Sequence, residues 1–291
     1  MLYKYVTFDR KDILENRLIR FTQPGCFNDP FEMHPSFDLM SKADLAALPD
    51  APHQEGVEAP KMKLLTPEAL NAMFTALMPG IQRAIRATVA GQGACALDNN
   101  LIARSVFDEK YGIFCLTDLP NNLLMWAHYA NSHKGLVIQF DETHEFFQTT
   151  ATDNPETGLR KVEYSNQRPV LSYSTIESPA IFYRKSTDWS YENEWRFIKP
   201  LAQATKVIDA PIYPLHLFSL PVSAITGVIL GATMPHEHSQ QIFEICSRSE
   251  LQHVTIYQVQ LNDITFQLDI HPPLDGKVDP SALAGRVRSA R

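Results

Sequence analysis

The chain has 291 residues, 44% of them hydrophobic, which is enough apolar material for one large domain or two small ones. Its formal net charge of -7 at pH 7 argues against a dedicated module for binding nucleic acids or anionic membranes. No run of about 18 apolar residues occurs, and the first residues are charged rather than apolar, so we expect a soluble, cytoplasmic protein.

The cysteines are scattered along the chain, with no Cys-x-x-Cys pair and no histidine at ligand spacing. This pattern argues against a structural zinc site and against a disulfide scaffold. We expect reduced, buried thiols and no bound metal. The four residues are Cys26, Cys95, Cys115 and Cys246.

The N-terminal segment is predicted to contain two strands and a short helix. Residues 2–8 (LYKYVTF) interleave aromatic or β-branched residues with polar ones, which predicts a strand. The segment RKDILENR has the spacing of a short helix, and LIRFT, from Leu18, predicts a second strand. QPGCFNDPFE follows with two prolines, a glycine and Asn-Asp, which is typical of a structured loop.

The composition changes at about residue 41. Ala, Pro, Lys and Glu dominate up to Pro67, which predicts a helix fragment and a linker. Pro67 then stands at the first position of a segment with helical spacing, and a second helix is predicted over residues 96–110. We interpret residues 41–110 as a helical insertion into a chain that is otherwise rich in strands.

Strand patterns return after this insertion. Strands are predicted at residues 112–117, 135–140, 159–164, 193–198, 212–218, 225–231, 253–261 and 264–270, and short helices at 121–129, 179–184 and 236–248. Strands without regular strand-helix alternation predict an α+β fold, with one curved, mostly antiparallel or mixed sheet in a single domain over residues 1–270. The polar tail, residues 271–291, is expected to be loosely ordered.

The first candidate for function is the segment FNDPFE. It places Asn28, Asp29 and Glu32 among apolar anchors. One interpretation is a loop whose Asn and Asp side chains cap backbone N–H groups while Phe27 and Phe31 pack on the core. The alternative is that the segment forms the rim of a binding site.

The second candidate is LLMWAHYANSHKGLVIQF, residues 123–140. His128 and Tyr129 precede an apolar strand, together with His133 and Lys134. These side chains are either ordinary packing and surface residues or the frame of a ligand site at the edge of a strand.

The third candidate is YENEWRF, residues 191–197. In a strand, Glu192, Glu194 and Arg196 would share one face, and Trp195 and Phe197 the other. The polar face is either a solvated surface with an exposed ion pair or a pair of carboxylates that supplies a general base and an orienting group.

The order of these motifs resembles a widespread bacterial family of unknown function, over residues 2–231. The matching segments are LYKYVTF, ILENRLIRFTQPGCFNDPFE, MWAHYANSHKGLVIQF and KSTDWSYENEWRF. This resemblance brings no established activity with it.

The layout is also similar to that of ADP-ribosyltransferase-like proteins. Residues 3–7 match their first strand, and Glu194 matches the glutamate that begins a late strand. The resemblance implies that NAD is the substrate, held in a cleft between two small sheets. Glu194 would then stabilise the oxocarbenium-like transition state, and Glu192 would activate the acceptor. The residues implied to bind NAD or line its cleft are Tyr5, Asn28, Asp29, His128, Tyr129, Lys185 and Arg196.

Three hypotheses follow. The leading one is an ADP-ribosyltransferase-like enzyme that transfers ADP-ribose to a macromolecular acceptor, a protein or a nucleic acid, as a toxin or phage-defence effector. The second is a non-catalytic domain that binds a ligand or a partner. The third is a metal-dependent phosphodiesterase. Its metal would be held by Asn28, Asp29, Glu32, His128 and Glu194.

Overall fold

The computed structural model describes residues 1–32, 36–37, 107–148, 157–171 and 179–271. The strands are β1 (Leu2–Val6), β2 (Leu18–Phe21), β3 (Ser36–Phe37), β4 (Tyr111–Thr117), β5 (Leu136–Phe140), β6 (Gly158–Lys161), β7 (Glu163–Tyr164), β8 (Val170–Leu171), β9 (Arg184–Lys185), β10 (Glu194–Pro200), β11 (Lys206–Ile208), β12 (Leu215–Ser219), β13 (Ile225–Leu230), β14 (Thr255–Leu261) and β15 (Leu268–Ile270). The α-helices are α1 (Asp12–Asn16), α2 (Leu123–Tyr129), α3 (Glu145–Gln148) and α4 (His236–Cys246). Short 3-10 turns are found at Phe8–Lys11, Pro24–Cys26, Pro179–Tyr183, Thr187–Glu192, Leu201–Gln203, Val222–Ala224 and Ser249–Leu251.

An eight-stranded sheet forms the centre of the fold, in the order β15-β14-β13-β5-β1-β4-β10-β6. Its neighbouring strands are antiparallel except for β13 and β14, which are parallel. The predicted α+β fold with a mixed, mostly antiparallel sheet is therefore confirmed. The split into two small sheets implied by the ADP-ribosyltransferase resemblance is not seen at β1, β4 and β10, which are neighbours in one continuous sheet. A separate three-stranded sheet has the order β11-β12-β2.

Both faces of the central sheet are covered, as β5 shows. Leu136 and Ile138 lie in the same apolar cluster as residues of α1 and α4, whereas Val137 packs with Met125 and Trp126 of α2. Because successive residues of a strand point to opposite faces, a strand that is covered on both sides is apolar throughout. This explains why the sequence of β5 does not alternate between apolar and polar residues.

Helix α2 is fixed on its face of the sheet by a cap and by an aromatic contact. The Asn122 side chain accepts hydrogen bonds from the backbone N–H groups of Leu124 and Met125, which satisfies two donors at the start of the helix. The Trp126 ring is fully buried and meets the edge of the Tyr5 ring, at 5.2 Å between centroids. The helix therefore presents its last residues, His128 and Tyr129, at a defined place beside the sheet.

The strand and helix predictions are confirmed over most of the described residues. The predicted strands over residues 212–218 and 264–270 begin only at Leu215 and Leu268, and three further differences occur. Residues 179–183 form a 3-10 helix, the predicted strand over residues 159–164 is interrupted at Val162, and Glu192 ends a 3-10 turn instead of lying in a strand. Most of the predicted insertion and the tail beyond residue 271 lie outside the described residues, although residues 107–110 are helical. Among the described residues, Cys26, Cys115 and Cys246 form no disulfide; Cys246 is buried, and Cys26 and Cys115 are half-buried. In the part of the chain that is described, no helix is long and apolar enough to span a membrane.

Phe197 tests the importance of the core on the α1 side of the sheet. Its ring is fully buried against Phe21, Phe146 and Phe147. We expect Phe197→Ala to lower the free energy of unfolding by about 3–5 kcal/mol in urea titrations, because a buried ring is replaced by a cavity. Phe266→Ala is the matched control, since that ring is wholly exposed and its loss should change stability by less than about 0.5 kcal/mol. Equal effects of the two substitutions would contradict this packing.

Candidate functional site

The candidate site lies at one edge of the central sheet, where β10 begins. Thr117 at the end of β4 is paired with Tyr3 of β1 on one side and with Glu194 of β10 on the other. Residues directly opposite each other in neighbouring strands project from the same face. The side chains of Tyr3, Thr117 and Glu194 are therefore neighbours on the sheet face that α2 covers.

A left-handed residue brings the two glutamates of YENEWRF together. The 3-10 turn Thr187–Glu192 ends at Asn193, whose φ is 45°. The Asn193 side chain donates to Asp118, which also accepts a hydrogen bond from Trp195 Nε1 at 3.2 Å. The prediction that Glu192 lies in the same strand as Glu194 is thus wrong, because the backbone turns at Asn193.

Lys185 of β9 lies between the two carboxylates. Its Nζ donates to Glu192 Oε2 at 2.6 Å and to Glu194 Oε2 at 3.0 Å. All three side chains are at most 5% exposed. Since the ammonium group bridges both glutamates, it holds the two like charges close together.

Arg196 holds Glu194 from the opposite side. Its Nε donates to Glu194 Oε1 at 2.8 Å and its Nη2 to Glu194 Oε2 at 3.0 Å, which is the bidentate geometry of strong arginine–carboxylate pairs. The same guanidinium forms an ion pair with Glu32 and donates to the carbonyl of Phe182. The interpretation of this face as a solvated surface with an exposed ion pair is therefore wrong.

These contacts determine the protonation of the site. Burial by itself would raise the pKa of Glu194, but the guanidinium of Arg196 and the ammonium of Lys185 outweigh it and lower that pKa to about 2. Burial likewise opposes the charge of Lys185, yet the surrounding carboxylates raise its pKa above the usual value. Glu194 is thus an ionised carboxylate at neutral pH although it is buried.

Aromatic and polar residues form the rim on the solvent side of Glu192. The Tyr129 hydroxyl donates to Glu192 Oε1 at 2.5 Å, and the side chain of the exposed Asn28 hydrogen-bonds the same tyrosine. The exposed His128 lies next to Tyr191, with 3.1 Å between its Nδ1 and the tyrosine hydroxyl. Burial and the adjacent carboxylate raise the pKa of Tyr129, so it stays a neutral hydrogen-bond donor. The half-buried Tyr129 is therefore the side chain that separates Glu192 from solvent.

Two of the residues implied to line the cleft have structural contacts instead. Tyr5 is 5% exposed, and its hydroxyl donates to the carbonyl of Leu119 at 2.7 Å, which holds the loop before α2. Asp29 is also buried, and its Oδ1 accepts a hydrogen bond from the backbone of Phe31 at 2.9 Å. Asp29 thus shapes the FNDPFE turn, as the capping interpretation predicted, but the same interpretation was wrong about Phe31, which is 66% exposed and does not pack on the core.

Sequence reasoning did not find several residues that position the glutamates. The Thr117 hydroxyl donates to the carbonyl of Glu192 at 2.6 Å, and the Tyr164 hydroxyl accepts from the backbone N–H of Glu194 at 2.8 Å. Asp118 binds the Asn193 turn, and the amide of Asn122 donates to the carbonyl of Tyr191. Only Asn122 carried a sequence signal, as an N-cap residue before an apolar helix.

Three of the residues considered as metal ligands have other partners in the structure. Asp29 binds the Phe31 backbone, while Glu32 and Glu194 pair with Arg196. Among the described side chains there is no group of three His, Cys, Asp or Glu residues that could hold a metal ion.

Comparison with known proteins identifies one region of similarity. Residues 125–197 match the family described as Protein of unknown function (DUF2971). No curated protein and no solved structure matches the chain. The matched segment contains most of the network and its rim, namely His128, Tyr129, Lys185, Glu192, Glu194 and Arg196. The expected resemblance to a family of unknown function is thus supported over this segment.

The burial of Glu194 determines what its substitution does to stability. In Glu194→Gln, the neutral amide would leave Lys185 and Arg196 with less compensating negative charge in the interior. We expect the free energy of unfolding to fall by about 1.5–3 kcal/mol, because hydrogen bonds from both cations to a charged carboxylate are lost. Urea titration of Glu163→Gln is the control, since the Glu163 side chain is 77% exposed. A loss no greater than that of the control would show that the network does not stabilise the fold.

Proposed function

We propose that the protein is an ADP-ribosyltransferase-like enzyme that cleaves NAD and transfers ADP-ribose to a macromolecular acceptor. One observation carries the proposal. The register of three adjacent strands aligns Tyr3, Thr117 and Glu194 at the same edge of the sheet, with Glu192 beside them. The first strand and the late glutamate, which the sequence resemblance matches separately, are thus neighbours in space.

The chemistry assigned to Glu194 needs a fixed negative charge. Cleavage breaks the bond between C1′ of the ribose and the nitrogen of nicotinamide, and both electrons of that bond leave with nicotinamide, which becomes neutral. Positive charge then develops on C1′ and the ring oxygen. A preorganised carboxylate stabilises such a charge without reorganising. Glu194, ionised and held by Arg196 on one side and Lys185 on the other, has these properties.

Glu192 is suited to activate the acceptor. The incoming nucleophile attacks C1′ and must lose a proton, which a nearby carboxylate can accept. Glu192 is closer to the rim than Glu194, because its Oε1 accepts from the half-buried Tyr129. Movement of Tyr129 and of its partner Asn28 would open a path from solvent to this oxygen.

The remaining residues implied by the resemblance divide into two groups. His128, Tyr129 and Asn28 lie at the rim, where they could contact the nicotinamide ring or the acceptor. Lys185 and Arg196 are buried, and their charged groups bind carboxylates of the network. We propose that Lys185 and Arg196 position the two glutamates.

A non-catalytic ligand-binding role is the second candidate, because one observation favours it. Both glutamates are buried, and every carboxylate oxygen of the pair accepts a hydrogen bond from Lys185, Arg196 or Tyr129. In that case the network would serve as a rigid support for a binding rim. Turnover distinguishes the two candidates.

The proposal is tested with NAD labelled in its nicotinamide group, incubated with the purified protein and with cell lysate as a source of acceptor. We expect the wild type to release nicotinamide and to label a macromolecule with ADP-ribose. Glu192→Gln should lower the rate by roughly 100-fold or more, as expected for loss of a general base. Tyr129→Phe should leave the rate within roughly 10-fold of the wild type, because the hydrogen bond from Tyr129 to Glu192 must already be broken before Glu192 accepts the proton.

Glu163→Gln is the control for these variants, because Glu163 is exposed on the neighbouring short strand β7. It should retain the wild-type rate, and thermal unfolding should show that all variants are folded. If the folded wild type binds NAD but releases no nicotinamide with any lysate fraction, the non-catalytic candidate replaces the enzyme.

A further inference from the structure

The buried network at the candidate site has more carboxylates than cations. Glu32, Glu192 and Glu194 carry the carboxyl groups, while Lys185 and Arg196 carry the positive charges. The exposed fraction of each of these five side chains is 5% or less. If all five were ionised, these described side chains would together carry one more negative than positive charge away from solvent.

Such a charge is unfavourable. An isolated carboxylate in the protein interior loses its hydration, and the common response is to bind a proton. Glu194 is the least suitable proton acceptor, because both of its oxygens are bound to cationic groups. Glu192 is bound by Lys185 and by the Tyr129 hydroxyl. Glu32 has one cationic contact, with Arg196, and shares it with Glu194.

The environment of Glu32 agrees with this order. Burial and the charge of Glu194 raise the pKa of Glu32, and the opposing effects of Arg196 and Lys185 do not outweigh them. Cys115 of β4 is also close enough to interact electrostatically with Glu32, and its thiol is neutral because burial raises its pKa. Arg196 and Lys185 supply the two positive charges that act on Glu32. Both of these cations already form ion pairs with Glu194.

We infer that the free protein carries a proton on Glu32 and that the site exchanges this proton for a cationic group of its ligand. The ligand class is therefore a molecule that presents one localised positive charge near Glu192 and Glu194. A cation placed there would supply the missing charge, so that all three carboxyl groups could be ionised.

The inference rests in part on the proposed function, because NAD carries such a group. The nicotinamide ring of NAD is a pyridinium cation, and the ring of reduced NAD is neutral. The exchange therefore predicts a preference for the oxidised form and the release of a proton when it binds. The proton on Glu32 in the free protein can be tested without any ligand.

The first test compares the stability of Glu32→Gln with that of the wild type as a function of pH. A glutamate whose pKa is higher in the folded than in the unfolded state binds a proton more tightly when the protein is folded. Its contribution to stability is complete below the unfolded pKa of about 4.3 and is lost as the pH rises through the folded pKa. Glutamine has no such dependence. We therefore expect the free energy of unfolding of Glu32→Gln, relative to the wild type, to increase as the pH rises from the unfolded pKa of about 4.3 through the raised pKa of Glu32 in the folded protein.

Glu244→Gln is the matched control, because Glu244 is exposed on α4. Its difference from the wild type should change little with pH. If the difference for Glu32→Gln is as independent of pH as that of the control, Glu32 is not the proton carrier and the inference is wrong.

The second test measures binding by titration calorimetry in two buffers that differ in ionisation enthalpy. The probe is carba-NAD, in which a carbocycle replaces the nicotinamide ribose so that the ligand cannot be cleaved, and its reduced form is the neutral control. We expect the oxidised probe to release up to about one proton per site and to bind more tightly than the reduced probe. Glu32→Gln should bind the oxidised probe without releasing a proton.

The possible results separate the two proposals. The exchange is wrong if the oxidised probe binds without proton release or if the reduced probe binds equally well. Neither result bears on the enzymatic proposal, which is tested by nicotinamide release alone. If neither probe binds, the exchange is wrong, nicotinamide release still decides the enzymatic proposal, and the unfolding comparison still decides whether Glu32 carries the proton.

Discussion

The candidate site depends on the pairing of Glu194 with Arg196 and Lys185. Burying a carboxylate is unfavourable unless cations and hydrogen bonds compensate it, and here two cations from β9 and β10 do so. Arg196 also forms an ion pair with Glu32 in the FNDPFE segment, and Lys185 also forms one with Glu192 in the 3-10 turn before β10. The FNDPFE segment is thus fixed to three consecutive segments, β9, the 3-10 turn and β10, by cations that pair with one charged carboxyl group.

The central sheet explains why this network lies where it does. Both faces of its middle strands are covered by apolar packing, so polar side chains are accommodated where strands begin or end. Glu194 is the first residue of β10, and Thr117 is the last residue of β4. Helix α2 ends beside them and contributes Tyr129 to the rim. The packing that stabilises the fold therefore also places the aromatic rim over the buried glutamates.

The sequence predicted the elements whose pattern is local and left out the contacts between distant segments. The apolar runs of β5 and β13 and the helix α2 were found, because hydrophobic spacing is visible within a few positions, whereas the capping role of Asn122 was not identified. The turn at Asn193 was missed, because an asparagine can adopt both extended and left-handed conformations. The ion pair between Glu32 and Arg196 was missed as well, since no local pattern reveals which distant charges meet in the interior.

The most direct test of the account is hydrogen–deuterium exchange with and without carba-NAD. If the ligand binds at the glutamate network, amide protection should increase in three segments, residues 26–32, 125–131 and 187–197, which carry the rim and the two glutamates. Protection should not increase in β11 and β12, which belong to the separate three-stranded sheet. Absence of protection in all three segments, or protection confined to other parts of the chain, would contradict the proposed site.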